Sequence, residues 1–449
     1  MDFNTAIVGS GPCGLFTALS LVENGYKGKT AIFEQGKIRS LSDLEIPALV
    51  EVGFGGAGAA SDGKLNLSRG QGGSLDSLIG EDLLHGSLAE LILKKYVFFG
   101  GGNGDRVRTA KDNGLILKAK QEGMRLIPSD IVHFGTDICK SIIENIYHSL
   151  NGRASILLNS RIEQVVQEGK GFALTTAKNE KYYANNVVLA GGRGQNSWVA
   201  EQCRNMGIEI RSNGVDLGVR VEAKNDALAE LVNGFYESKI KYHTSNGLEV
   251  RTFCMCPSGF VINNNGKVNG HSYKHRKSGN TNVALLVALN GIKEPDGYLR
   301  EWTSKPMEEY GSPLVLETYG AFKNGLPNPT LPSNNEVRPT LPEQHMRIGD
   351  IHKVLPPQIC ESIVEFIEKI AVIAPGFNAD STLLYGNEGK YYALRADMTA
   401  DKSDAKMPGL RTIVPGFYAG GDGSGWTRGL YQSSVMGWLI GADIARRAK

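Results

Sequence analysis

Thr5-Ala6-Ile7-Val8 is an unbroken apolar run, long enough for a buried strand and too short for a buried helix. Gly9-Ser10-Gly11-Pro12-Cys13-Gly14 follows, and then Leu15, Ala18, Leu19 and Val22, spaced i, i+3, i+4 and i+7 as on one face of a helix. Asn24-Gly25 stops that helix, and Thr30 to Phe33 reads as a second strand ending at Glu34. Ile138, Ile142, Ile143 and Ile146 mark a later helix, Arg161 to Val166 a strand, and Val187 to Ala190 a buried strand closing on Gly191-Gly192. Leu217 to Val221, Val250 to Met255 and Phe260 to Asn263 read as strands of an antiparallel sheet. Ile363, Phe366, Ile367 and Ile370 place a helix over 359–373. Near the end, Gly416 to Ala419 is a short strand and Leu430 to Arg447 a helix. Five prolines between Gly325 and Pro342 stiffen that stretch into a loop, a candidate lid. The order predicts an α/β chain with a Rossmann-like domain in two pieces, 1–205 and 395–449. An inserted α+β substrate or cap domain fills 206–394.

The first strand–turn–helix–strand unit is about 30 residues long, the size of a dinucleotide-binding fingerprint. Gly9 permits the tight turn, Gly11 lets backbone approach a pyrophosphate, and Gly14 lets helix and strand pack closely. Pro12 and Cys13 open the helix, whose free N–H groups favour phosphate. Glu34, beside Gln35, falls where a carboxylate accepts both ribose hydroxyls and repels a 2′-phosphate, which disfavours NADP. The alternative is a βαβ turn without ligand.

The far end of the chain chooses between dinucleotides. Phe417-Tyr418-Ala419-Gly420-Gly421-Asp422-Gly423-Ser424-Gly425 is a strand entering a glycine-rich acidic turn ahead of a helix. It resembles the second FAD motif of the glutathione-reductase-like flavoproteins. That resemblance implies that Asp422, between Gly421 and Gly423, binds the ribityl chain, and that Gly429 and Leu430 lie near the flavin pyrimidine edge. It also implies that Val165 faces the adenine and that Ala190-Gly191 closes the module. Along the whole chain, Gly55 to Asn66, Arg125 to Pro128, His133 to Asp137, Asp216 to Glu222, Arg251 to Gly259 and Asn282 to Val287 occur in a telling order. In that order they resemble the uncharacterised bacterial FAD-dependent dehydrogenase family of NAD(P)/FAD-dependent oxidoreductases, with Phe253-Cys254-Met255-Cys256-Pro257 as the specific run. Tyr385 to Tyr392 departs from that pattern, so no substrate transfers. The resemblance implies an FAD-dependent oxidoreductase, a dehydrogenase or reductase passing hydride between flavin and an unidentified small-molecule substrate.

Composition narrows the picture further. Lys and Arg total 49 against 47 Asp and Glu, too even for a strongly basic nucleic-acid binder. No apolar run reaches the roughly 18 residues of a membrane-spanning helix. Six cysteines in 449 residues are not a disulfide framework, which points to a reducing, cytoplasmic setting. Glycine numbers 56 where average usage predicts roughly 31, as expected of a backbone wrapped around a ligand. There is no C-x4-C, no second strand–GxGxxG–helix unit and no metal-spaced Cys/His set. NAD(P)H therefore enters only as a transient electron donor, and no metal is expected.

Candidate chemistry remains open between alternatives. Gly58, Ser61, Asp62, Gly63 and Lys64 offer backbone and a cation to the flavin or to an anionic substrate; a surface turn is the plainer account. Cys254 and Cys256 would share one face of a straight strand roughly 7 Å apart, too far for a disulfide. They are candidates for a thiol near the flavin, for half of a metal site, or for two small core residues. His133 is a candidate acid or base, or a structural histidine before a helix capped by Thr136-Asp137. The basic stretch His271, Lys274, His275 and Arg276 would hold an anionic substrate, or be a solvated loop. It also motivates a second reading, a flavoenzyme acting on a nucleotide or RNA. A third is a non-catalytic FAD-bound sensor or scaffold.

Overall fold

The structure is a computed structural model. It describes residues 1–38, 53–59, 61, 63–102, 104–109, 113–212, 214–264, 266–273, 276–292, 294–391, 394–398 and 410–449. The first apolar run becomes β1 (Phe3–Val8), and the helix of the fingerprint runs from Pro12 to Glu23. β1 lies parallel to β2 (Thr30–Phe33) on one side and to β10 (Lys181–Leu189) on the other. β7 (Ser155–Leu157) extends the sheet beyond β2, and β22 (Phe417–Ala419) lies parallel to the end of β10. β8 (Ile162–Glu168) and β9 (Gly171–Thr176) continue antiparallel from the start of β10. The carboxyl ends of β1, β10 and β22 thus share one edge, the place where open α/β sheets hold ligands.

The helix Gly429–Arg447 lies along the first helix with backbone nearly touching backbone. A Cβ on Gly437 would sit 2.0 Å from the Cys13 carbonyl oxygen, and one on Gly441 2.5 Å from that of Thr17. The last helix of the chain is thereby locked to the first, with Ser20 Oγ donating to the Trp438 carbonyl at 2.8 Å.

The second core is an eight-stranded sheet. Its strands are β5 (Arg125–Ile127), β12 (Val215–Lys224), β13 (Lys239–His243), β14 (Glu249–Cys256), β17 (Asn280–Leu289), β18 (Val315–Thr318), β19 (Arg347–Ile348) and β20 (Leu383–Tyr391). They are ordered β19-β18-β20-β12-β17-β14-β13-β5. Helix Pro357–Ala371 covers it with Ile359, Ile363, Phe366, Ile367 and Ile370. The edge strand β5 comes from the first chain segment, outside the expected 206–394, because Met124 and Leu126 bury with the second core. A hairpin, β15 (Phe260–Asn264) and β16 (Lys267–His271), packs on this sheet.

A small third sheet pairs β6 (Asp130–His133) with β3 (Lys64–Asn66) and β4 (Asp105–Arg108). It lies between the two cores, with β3 against the C-terminal helix. Two short strands, β11 (Ile210–Arg211) and β21 (Arg395–Ala396), pair antiparallel. The proline-rich loop is anchored rather than lid-like. Val337 and Leu341 are buried, and Thr340 Oγ1 donates to Glu222 at 2.7 Å.

Candidate functional site

Three glycine turns interlock at the shared strand edge. A Cβ on Gly9 would meet the Ala190 carbonyl at 2.7 Å, one on Gly423 the Gly191 carbonyl at 2.5 Å, and one on Gly421 the Cys13 Cβ at 3.1 Å. Gly14 is tightest, 1.9 Å from the Gly9 carbonyl. These glycines let backbone segments touch. Gly11, Gly192 and Gly429 differ, since a Cβ on any of them meets nothing within 4 Å. Gly11 is the N-cap of a helix that no side chain caps, with Pro12 at its first turn. Open space therefore faces bare helix N–H groups, the requirement for a pyrophosphate. The turn before Ser61 closes over it: a Cβ on Gly56 would approach Gly11 Cα at 3.1 Å, and one on Gly58 would touch Pro12 and Leu430. The residues present fit an elongated dinucleotide.

Asp422 stands at the far end of this cradle. Its Oδ1 accepts from Thr427 Oγ1 at 2.8 Å and Ser433 Oγ at 2.7 Å, and its Oδ2 from the Gly429 N–H at 3.3 Å. Arg193 Nε lies 4.0 Å from Oδ2, an exposed cation that the sequence reading passed over.

Two residues expected in the cradle already hold partners within the chain. Glu34 is buried and accepts from Ser10 N at 3.2 Å, Ser10 Oγ at 2.5 Å, Gly36 N at 2.9 Å and Gly53 N at 3.1 Å. A carboxylate has about four acceptor positions, so ribose hydroxyls would have to displace donors of the chain itself. Gln35 beside it is half-buried. The Val165 N–H donates to Gln202 Oε1 at 2.9 Å, so it is not a donor waiting for adenine. Asp62, Lys274 and His275 lie outside the described residues. Ser61 Oγ accepts the Gly63 N–H at 3.1 Å, a local turn, and Gly63 packs on Cys139.

The tertiary structure brings the four candidate chemical residues together at the junction of the two cores. Lys64 sits directly across from His133 in the β3–β6 pair. Its Nζ reaches across to Glu237 Oε2 at 3.5 Å and lies 5.7 Å from the Tyr236 ring centroid. His133 is 5.6 Å from the same ring. Lys239 Nζ approaches the other Glu237 oxygen at 3.0 Å. Burial alone would raise the Glu237 carboxyl, but Lys239 and Lys64 outweigh it and hold it down to about 2.

Cys254 and Cys256 adjoin this cluster, and here the straight-strand estimate is wrong. The register between β14 and β17 shifts between Phe253 and Cys256, and Cys254 takes φ 46°. The bulge adds a residue on one strand and leaves Cys256 Sγ 3.5 Å from the Cys254 carbonyl oxygen. Cys256 is buried and Cys254 half-buried. The Cys256 thiol, and then the charges of Lys64 and Arg220, pull the Cys254 thiol below its ordinary range. Cys13, Cys203 and Cys360 go the other way, each pushed up to about 12 by burial.

Arg220 organises the floor of this site. It is fully buried, forks to both Glu388 oxygens at 2.9 Å, and donates to Asn282 Oδ1 at 2.9 Å and the Cys254 carbonyl at 3.2 Å. Lys390 Nζ lies 3.0 Å from Glu388, and Arg251 pairs with Asp216. Around Phe253, Lys239 Nζ lies 4.3 Å from the ring centroid and Arg251 Cζ and Lys390 Nζ each 5.3 Å. Lys64, Lys239, Lys390, Arg220 and Arg251 thus outnumber Glu237, Glu388 and Asp216, leaving a positive site.

Sequence reasoning missed most of these charges. One signal was present: Asp216, Arg220 and Glu222 fall on one face of a strand whose other face is Leu217, Val219 and Val221. His271 ends β16, whose Gly270 lies against Arg220 and Cys256, while Arg276 stacks on Phe260 at 4.4 Å. His133 does precede a helix, Thr136–Leu150, but Gly135 is its N-cap and no side chain caps it. Away from the junction, Glu317, Asp350 and His352 bring ligand-type atoms within 4.8 Å of one another, a grouping the sequence did not suggest. Among the described residues no helix is long and apolar enough to cross a membrane.

Residues 216–391 match the family described as FAD-dependent protein, C-terminal domain-like. An uncharacterized protein of Clostridium beijerinckii is 24% identical over 98% of this chain and 80% of its own length. Among solved structures, the glycine oxidase of Bacillus cereus is similar with 12% identity, TM-score 0.42, and coverage of 100% of this chain and 96% of that one. The glycine oxidase of Geobacillus kaustophilus gives 13% identity, TM-score 0.39, and coverage of 99% and 95%. The matched FAD-dependent family lies in the second core and the dinucleotide fingerprint in the first, and both point to FAD as the cofactor of this chain.

Proposed function

We propose that this chain is an oxidoreductase that passes hydride between FAD and a small anionic substrate held at the junction of the two cores. FAD would lie as in the glutathione-reductase-type fold, its pyrophosphate over Gly11 and the first helix and its ribityl chain by Asp422. The flavin supplies the two-electron chemistry; the protein supplies position and electrostatics. The domain division follows, 1–205 with 395–449 holding the cofactor and 206–394 covering the substrate, with the edge strand 125–127 lent to the second part.

The observation that carries this reading is the meeting of Lys64 with Glu237, Lys239 and Cys254. Lys64 follows the glycine turn that closes the cradle, and its neighbours come from the second core. Excess positive charge among partly buried side chains attracts carboxylate or phosphate groups. Lys64 and Lys239 would orient that anion, and Arg220 would hold the floor beneath it. His133 stands beside Lys64 as an imidazole able to give or take a proton. NAD(P)H would act as a transient donor.

The test is anaerobic. FAD-loaded protein is mixed with panels of carboxylate and phosphate metabolites, and bleaching or recovery of the flavin absorbance is followed. Turnover confined to anionic compounds and lost in Lys64→Met with FAD retained supports the reading. Turnover of neutral or cationic compounds only, unaffected by K64M, overturns it.

A further inference from the structure

The mechanism above leaves the paired thiols unused. Of the six cysteines, Cys13, Cys139, Cys203, Cys256 and Cys360 are buried and Cys254 alone is half-buried. Cys254 also carries the positive φ of the bulge, and the Cys256 thiol, two residues on, donates back to its carbonyl. Room for the second sulfur is built in. A Cβ on Gly270 would lie 2.9 Å from Cys256 Sγ, and one on Gly259 2.8 Å from Cys256 Cβ. Cys256 Sγ lies 3.5 Å from the Cys254 carbonyl, which Arg220 holds from the other side at 3.2 Å. Lys64 and Arg220 favour a thiolate on Cys254, the form that attacks sulfur or an electrophile. One accessible activated thiol with a buried partner at its side is the arrangement of a working dithiol.

We infer that Cys254 and Cys256 are a reversible dithiol–disulfide pair that exchanges two electrons with the flavin of the same chain. In the forward step both S–H bonds break and one S–S bond forms. The two electrons and two protons released pass to oxidised flavin, giving reduced flavin; the reverse step restores both thiols. The pair deepens the flavoenzyme reading and rests on it. Its consequence is a chain that stores two reducing equivalents beside the cofactor and two on it.

Electron counting tests this on the FAD-loaded full chain. The protein is oxidised with diamide, freed of reagent, and titrated anaerobically with dithionite. Wild type takes up four electrons per flavin, and Cys254→Ser and Cys256→Ser take up two. In parallel, diamide lowers the denatured thiol count from six to four, with the lost pair mapped to Cys254–Cys256 and restored by dithiothreitol. Uptake of two electrons by wild type, thiols that stay at six, or loss mapped to other cysteines overturns the inference while the bound flavin upholds the wider reading. Protein that never retains FAD overturns the wider reading instead. Wild type alone decides both questions, so misfolding of a serine variant does not blur the result.

Discussion

The cofactor cradle and the domain junction solve opposite problems. The cradle is made of backbone: glycines that let strands and helices touch, plus a few, such as Gly11, that leave space. The junction is made of side chains: Arg220 and Glu388 both buried, Glu237 between two lysines, and a bulged cysteine pair. A backbone site tolerates no bulk but needs no charge balance. A charged site tolerates bulk but fails when one partner goes, since an unpaired buried ion is costly.

That contrast breaks most sharply at Arg220. Arg220→Met removes the guanidinium from Glu388, Asn282 and the Cys254 carbonyl at once. Breaking such a pair costs about 3–5 kcal/mol, read as a lowered urea midpoint at unchanged slope. Next comes acid. Glu237 sits at about 2 in the folded chain against an ordinary 4.5, so its stabilisation is complete above 4.5 and is lost as pH falls toward 2. Its size is about 3 kcal/mol, and Lys239→Met should move the acid transition to higher pH in far-UV circular dichroism.

The two glycine classes separate more finely. Gly14→Ala drives a Cβ into the Gly9 carbonyl, and the expected loss is about 1–3 kcal/mol in the flavin-free protein. Gly11→Ala meets nothing, so the flavin-free melting point should hold within a degree or so while FAD affinity falls about tenfold, about 1.4 kcal/mol, by fluorescence titration. Equal effects of the two substitutions would erase the distinction between packing glycines and ligand-facing ones.

Legibility follows the same divide. β1, the first helix and β2 were readable because apolar period and turn glycines are local, and they appear at Phe3–Val8, Pro12–Glu23 and Thr30–Phe33. The helix ending the chain was readable for the same reason. Glu34 was readable as a special carboxylate, and its donor Gly36 is only two residues on, but its donor Gly53 was not, because no local pattern links residues 19 apart. The cysteine geometry was misjudged because a bulge depends on the partner strand β17, and no local pattern reports it. The proline loop looked like a lid until Thr340 was seen bonded to Glu222.

The sequence by itself determined the dinucleotide turn, the alternation of strands and helices, and the residue types able to carry chemistry. Hydrogen-bond geometry and apolar period act over a few residues, so they are written locally. Only the tertiary structure decided that Lys64 meets Glu237 and that Arg220 lies under Cys254. Those pairings are separated by many residues along the chain, and a charge's partner is set by which strands become neighbours, not by its place in the sequence.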